Sequence, residues 1–274
     1  MGLKMYIDTT QWRSGRRYDF FDTLPANGLA WECLRRNEDY QKDFAEVQSD
    51  VCKDEPARHD IANRWGLLSP PIDPECTAVD VPIYWAPDVD AGTVMLAKIA
   101  VPDAGVPLAI APRDLRQDTS VLYGTVGDGQ NAIPLAVLPP ADDTQPLSVV
   151  IPLTEDVPDR LVGITRLWLI LKGLPAPDRR ITPDRRRRLQ LMLRACDGRK
   201  AGATHREIAE AIYGKARIDD ELWKTSSLRF STARLVTEGM RMIHGGYRDL
   251  LRVDRSDKRY RPHAVTKSRR RGER

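Results

Sequence analysis

Between Thr204 and Arg234 the chain sets out hydroxyl, imidazole and guanidinium groups in an order suited to gripping a polyanion. Thr204-His205-Arg206-Glu207 places a hydroxyl at a helix N-cap position and a Glu three residues on. This is the capping-box pattern, in which each side chain satisfies a backbone N–H of the other. The remaining free N–H groups of such a helix start, with Thr204, His205 and Arg206 beside them, can hold a phosphate. Further along, Lys224, Ser226, Ser227, Arg229, Ser231, Thr232 and Arg234 compose a polar and cationic face. Hydroxyls and guanidinium groups bond phosphate oxygens or base edges, and arginine matches the acceptor pair of guanine. Arg217 in the intervening turn and Arg248 beyond the second helix add cations to the unit. A helical bundle with a solvated polar face has similar composition, so the pattern alone leaves a protein-binding role open.

Other chemistries find little support. Asp219, Asp220 and Glu221 are adjacent, which suits a helix cap better than a catalytic metal. His59, His205, His244 and His263 show no ligand spacing. Gly124 to Gly129 contains three glycines but lacks the Lys-Ser/Thr pair of a phosphate-binding loop. Cys33, Cys52, Cys76 and Cys196 are widely and irregularly spaced, as expected for reduced thiols in a cytoplasmic protein. The expectation is a non-enzyme without metal or cofactor.

The elements that must position the polar face are helical. Thr182 and Pro183 open a helix that turns Leu189, Met192, Leu193 and Cys196 inward, with Gly198 after its end. Ile208, Ala209 and Ile212 give the capped helix its apolar side, Ala209 being small where another helix would cross, and Gly214 stops it. After 215–219, Asp219 or Asp220 can cap a long helix carrying Leu222, Trp223, Leu228, Ala233, Val236 and Met240 inward, with a break near Ser226. Supporting helix, capped helix, turn and long helix together make a variant helix-turn-helix whose turn exceeds the usual length. Arg185 to Arg188 place four cations at a helix start, against the dipole unless an anion docks there. His244-Gly245-Gly246 marks a stop, and 250–253 with 258–261 can form a small β-wing.

Earlier in the chain, Ala26 to Val47 reads as one helix capped by Asn27 or Asp22, and Ala57 to Leu67 as a second. Trp12, Trp31 and Trp65 are expected to anchor a small core. Extended runs follow at Val79–Trp85, Val94–Val101, Val106–Ile110, Val121–Val126, Ile133–Val137 and Leu147–Leu153, consistent with short strands of an antiparallel sheet. Asp159 to Lys172 returns to helical period and Gly173 ends it. The fold class is therefore α+β, with a helical and β-stranded region 1–145, a mainly helical region 146–262 and a disordered basic tail 263–274. Charge divides the same way. Residues 178–274 hold 27 Lys and Arg against 13 Asp and Glu, while the rest is net acidic. Such a dipole attracts a polyanion to one end. No stretch has the length and apolarity of a membrane span, and the first residues carry no export signal.

Two stretches are similar to known families. Tyr18-Asp-Phe-Phe-Asp, with Trp31-Glu-Cys-Leu-Arg-Arg-Asn37 and Tyr40, resembles a transcriptional regulator-like domain of proteobacterial mobile elements. Arg206-Glu-Ile-Ala, Tyr213-Gly, Trp223, Leu228-Arg229, Arg234 and Gly245-Gly-Tyr-Arg-Asp-Leu-Leu251 resemble the helix-turn-helix domain of the excision activators and antiactivators of integrative and conjugative elements, the FseA and QseM types. The fused arrangement resembles the activator. The resemblance implies promoter DNA as partner, activation of a gene for excision, and contact with a related antiactivator. It places Trp223, Arg229, Arg234, Tyr247 and Arg248 in or beside the DNA-binding unit. The alternative it leaves is an antiactivator-like protein that sequesters another transcription factor. Neither operator nor oligomeric state can be read from the sequence.

Overall fold

The computed structural model describes residues 8–48, 55–68, 70–99, 101, 108–118, 120–139 and 146–252. The expected wing, the basic tail and Cys52 lie outside or largely outside these residues. Of the expected wing, residues 250–252 are described: Leu250 ends a 3-10 helix, and Leu251 and Arg252 form a bend, not a strand.

A 3-10 helix at Gly15–Thr23 leads into α1 (Ala26–Leu34), α2 (Glu38–Gln48) and α3 (Glu55–Trp65). The single helix expected over 26–47 is thus two. The break falls at Arg35-Arg36-Asn37, where Asn37 Oδ1 accepts from the N–H groups of Asp39 at 2.8 Å and Tyr40 at 3.3 Å. Asn37 is the side chain that caps α2. Neither expected cap serves α1, which begins after Pro25 with no side-chain cap.

Strands β1 (Val94–Lys98), β2 (Arg113–Asp118), β3 (Val121–Val126), β4 (Ile133–Val137) and β5 (Leu147–Val150) form one sheet ordered β2-β3-β4-β1-β5. It is mixed rather than antiparallel, because β1 and β4 run parallel. The long connection between them, which contains the β2–β3 hairpin, provides the crossover a parallel pair requires. β2 escaped the sequence reading because Arg-Asp-Leu-Arg-Gln-Asp is an exposed edge without apolar alternation. The run at 79–85 is irregular apart from a bridge between Leu67 and Trp85.

Helix α4 (Val157–Leu171) covers one face of the sheet, packing Ile164, Leu167 and Ile170 on Val94, Leu96, Ile133 and Leu135. Gly163 permits the approach, since a Cβ there would lie 3.0 Å from the Gly92 carbonyl oxygen. Then come α5 (Pro183–Lys200), α6 (His205–Tyr213), α7 (Lys215–Asp219), α8 (Ser227–Ile243) and a 3-10 helix at Gly246–Leu250.

The main core draws on both ends of the chain. Trp12, Phe21, Trp31, Tyr40 and Trp85 pack with Leu193, Ile208, Leu235, Tyr247 and Leu251, and Trp65 lies partly buried against them. The expected boundary at 145 falls between β4 and β5 of the one sheet. Helix α5 is the spine, and Gly239 lets α8 cross it closely: a Cβ at that position would meet Cys196 Sγ at 2.6 Å. Gly198 lies within α5 instead of after its end, with Trp12 and Ile208 within about 3.1 Å of where its Cβ would be.

Buried arginines fasten this seam. Arg36 pairs with Asp197 at 3.0 Å and with Glu32 at 2.9 Å, and Tyr18 donates to Asp197 at 2.7 Å. Arg180 bridges Asp178 at 2.7 Å and Asp90 at 3.1 Å, while Arg166 pairs with Asp178 at 3.2 Å. Arg194 donates to the carbonyls of Trp12 at 2.8 Å and Ala211 at 3.0 Å.

Candidate nucleic-acid interface

The interface is assembled from the starts of α6 and α8. Thr204 and Glu207 form the reciprocal capping box: Thr204 N–H donates to Glu207 Oε2 at 2.8 Å, and Glu207 N–H to Thr204 Oγ1 at 3.2 Å. This fixes the first turn of α6 with its apolar side, Ile208 and Ala209, fully buried. Gly214, at φ +93°, ends the helix in a conformation that favours glycine. The stretch expected to be loop contains α7. Its Ile218 is buried beside Ala209 and Leu228, so Ala209 makes room for α7 as well as for the crossing helix. A turn that houses a short helix has to be long.

Ser226, and not Asp219 or Asp220, caps α8. Its Oγ accepts from Leu228 N–H at 3.0 Å and bonds Glu221. From Leu228 onward, the 3.6-residue period turns Thr232, Leu235, Gly239 and Met242 inward. This corrects the expected face in two respects. Thr232 is fully buried, its hydroxyl donating to the Leu228 carbonyl at 2.8 Å, and buried Ser226 is committed to its cap. Conversely, Leu222 is 84% exposed and Met240 41% exposed, although both were expected inside.

The solvent face of α8 presents Ser227, Arg229, Phe230, Ser231, Arg234, Thr237 and Arg241. Lys224 stands exposed just before it and Arg217 on α7. Neither has a carboxylate partner among the described residues. Arg229 donates to the Lys224 carbonyl at 2.8 Å, which extends the helix start by a cation. His205 faces the same region. Burial, and then the charges of Arg199 and Arg229, push its imidazole below the usual range. Packing of Ala209 of α6 with Leu228 in the first turn of α8 sets the starts of the two helices side by side.

Other cations are partly engaged. Arg206 pairs with Glu210 at 3.1 Å and Asp219 at 2.8 Å. Arg234 at 2.6 Å and Arg188 at 2.7 Å share Glu238, and their hydrogen bonds hold its carboxyl below the usual range. All these pairs are at the surface, where such contacts are weak and exchange readily for phosphate. Arg187, Arg188, Tyr213, Ser231 and Arg234 line a cleft of about 340 Å³ between α5 and α8. Of the four arginines 185–188, Arg186 is buried on the Phe21 and Leu24 carbonyls and Arg185 donates to Arg180 O at 2.9 Å.

Arg248 does not join the patch. It lies beyond the far end of α8, a helix roughly 25 Å long, and donates to the Arg64 carbonyl at 3.2 Å. Tyr247 is buried, its ring 5.4 Å from that of Trp85 and its hydroxyl donating to the Trp65 carbonyl at 3.3 Å. Leu250 and Leu251 are buried as well, and Asn37 Nδ2 donates to the Ile243 carbonyl at 3.1 Å. The Gly-Gly-Tyr-Arg-Asp-Leu-Leu ending therefore locks α8 onto α1–α3. Phe230, 64% exposed in the middle of the polar face, is the residue that sequence reasoning missed. Its position off the apolar stripe, between Arg229 and Ser231, was the available signal.

A capped, cationic, solvent-facing helix pair is joined to a second helical region through a common core, an arrangement consistent with a DNA-binding regulator. Residues 150–252 match the family model described as the DNA-binding domain of the type VI secretion transcription factor RovC, and residues 11–69 match that of a proteobacterial transcriptional regulator-like domain. No curated protein matches the chain. Among the described residues no three of His, Cys, Asp and Glu gather as a metal site, and no helix is long and apolar enough to cross a membrane.

Proposed function

We propose that the protein regulates transcription by laying the first half of α8 in the major groove of promoter DNA, with the start of α6 on the adjoining phosphates. The observation that carries this reading is the exposed face of α8, where Ser227, Arg229, Ser231 and Arg234 project from a helix anchored by its other side. The matched DNA-binding domain supports it. The target class that best suits the fused arrangement is a promoter for excision or transfer genes of a mobile element, with the protein as activator and a related antiactivator as protein partner. The support is the resemblance of residues 18–40 and 206–251 to that group.

A salt titration of binding to promoter duplex tests the reading. With about four phosphate contacts, affinity falls roughly 100-fold between 50 and 200 mM salt. The rival, a regulator that captures another transcription factor, draws on the half-exposed Leu161 and Trp168 of α4. It predicts no retention of duplex at any salt. Chromatin immunoprecipitation from the host then tests the target: enrichment at excision-gene promoters supports it, and enrichment only elsewhere refutes it.

A further inference from the structure

The outward face of α8 carries one group that neither phosphate binding nor solvation explains. Phe230, Arg234, Thr237 and Arg241 follow one another at spacings of four, three and four residues, a line along one side of a helix. Phe230 stands at the head of that line, 64% exposed, with Ser227 one turn before it and Arg229 and Ser231 on either side. It belongs to none of the four apolar clusters. Leaving a phenylalanine ring in water wastes a large apolar area. Such a ring amid hydrogen-bonding groups fits a surface that is itself mostly polar with apolar spots.

The major groove of DNA is such a surface. Phosphates rim it, base edges offer donors and acceptors, and the 5-methyl group of thymine is its only apolar feature. On a helix lying in the groove, the residue at the centre of the inserted face meets base edges, while neighbours half a turn away meet the backbone. Phe230 holds the central place. Arg234, one turn on, is positioned for a guanine or a phosphate.

We propose that Phe230 is a specificity-determining residue that packs on a thymine methyl group, so the chain prefers thymine at a fixed place in its site. The inference rests on the DNA-binding reading above and adds the base it selects. A wedge between base pairs is the other use of an exposed aromatic ring on DNA, but wedges enter from the minor groove and kink the duplex. Phe230 sits in the second turn of α8, flanked along the helix, and not at a protruding tip.

The experiment uses the full chain and a duplex selected from a randomised pool by that chain. Each thymine of the selected site is then replaced singly by deoxyuridine, which removes only the methyl group. At one or two positions the wild-type protein should lose about fourfold in affinity, the weight of one buried methyl. Phe230→Ala should bind the thymine duplex weaker by a similar factor and no longer distinguish the two bases there. Its unfolding midpoint should match wild type, since the ring is outside the core. Equal affinity of wild type for both bases everywhere, or an unchanged ratio in Phe230→Ala, overturns the proposal while leaving DNA binding intact. So does a methyl-independent loss of DNA bending in the variant, which would mark a wedge. If no duplex is selected at all, the DNA-binding reading itself has failed, and this one with it.

Discussion

Two groups of arginines in this protein look alike in sequence and do opposite work. Arg36, Arg186 and Arg194 are buried at the seam between α1, α5 and the segment leading into α1, and Arg180 is buried on Asp178, Asp90 and the Leu251 carbonyl, all aimed at carboxylates and carbonyl oxygens. On α6 and α8, Arg206, Arg229 and Arg234 face water with partners they can exchange. The buried group joins the regulator-like region to the DNA-binding region. The exposed group offers charge to a ligand. Counting cations along the chain therefore overstates the charge a polyanion meets, because three of the arginines within 178–274 are interior ties. A buried arginine that loses its carboxylate leaves an uncompensated charge, whereas an exposed one merely rehydrates.

That contrast can be broken most severely at Asp197. Asp197→Ala removes a partner from both Arg36 and Tyr18 and should destabilise the fold by about 3 kcal/mol or more in chemical denaturation. A loss below about 1 kcal/mol would mean that the seam is not held by this pair. At the exposed group the readout changes from stability to binding. Arg229→Ala combined with Arg234→Ala should weaken specific DNA binding by roughly 30-fold or more, taking each good base or phosphate contact at 1–3 kcal/mol, with an unaltered unfolding midpoint. Unchanged promoter affinity would show that the reading helix is misplaced.

The buried cluster also carries a pH signature. Burial alone would raise the Asp178 carboxyl, but Arg180 beside it, and then Arg166, outweigh that and hold it at about 2. A depressed folded value means stability present above the unfolded pKa near 4 and lost as pH falls toward 2, about 2 kcal/mol for this group. The Asp178 carboxyl resonance should titrate near pH 2, and a midpoint near 4 would show the ion pairs to be unformed. The smallest effect is expected at Glu238, which occupies both Arg188 and Arg234 and repels phosphate itself. Glu238→Gln should raise DNA affinity about threefold while changing stability by less than about 0.5 kcal/mol. A drop in affinity would mean that Glu238 orients these arginines for binding instead of restraining them.

Much of the helical half was legible because its signals are local. Thr182, Thr204 and Gly214 act where the sequence puts them, since caps and stops depend on a few adjacent groups. The inward face of α8 was harder. Thr232 reads as polar and so as exposed, yet its hydroxyl is satisfied within its own helix, which lets it sit in the core. The crossing point of α5 and α8 was invisible because Gly239 resembles any helix glycine until Cys196 and Met192 are set beside it. The same holds for Tyr247, whose partners Trp65 and Trp85 lie more than 150 residues earlier in the chain. The two-helix start, read as one, hid an Asn cap within an apolar pattern that runs through the break.

The central claim is that the outward side of α8 touches duplex DNA while its far end is occupied by the protein. A photocrosslinking side chain introduced in place of Ser231, and separately in place of Arg248, tests this directly on a bound promoter duplex. The account predicts strong crosslinking to DNA from position 231 and none above background from position 248. Crosslinks from 248 alone, or from neither position with the duplex demonstrably bound, would contradict it.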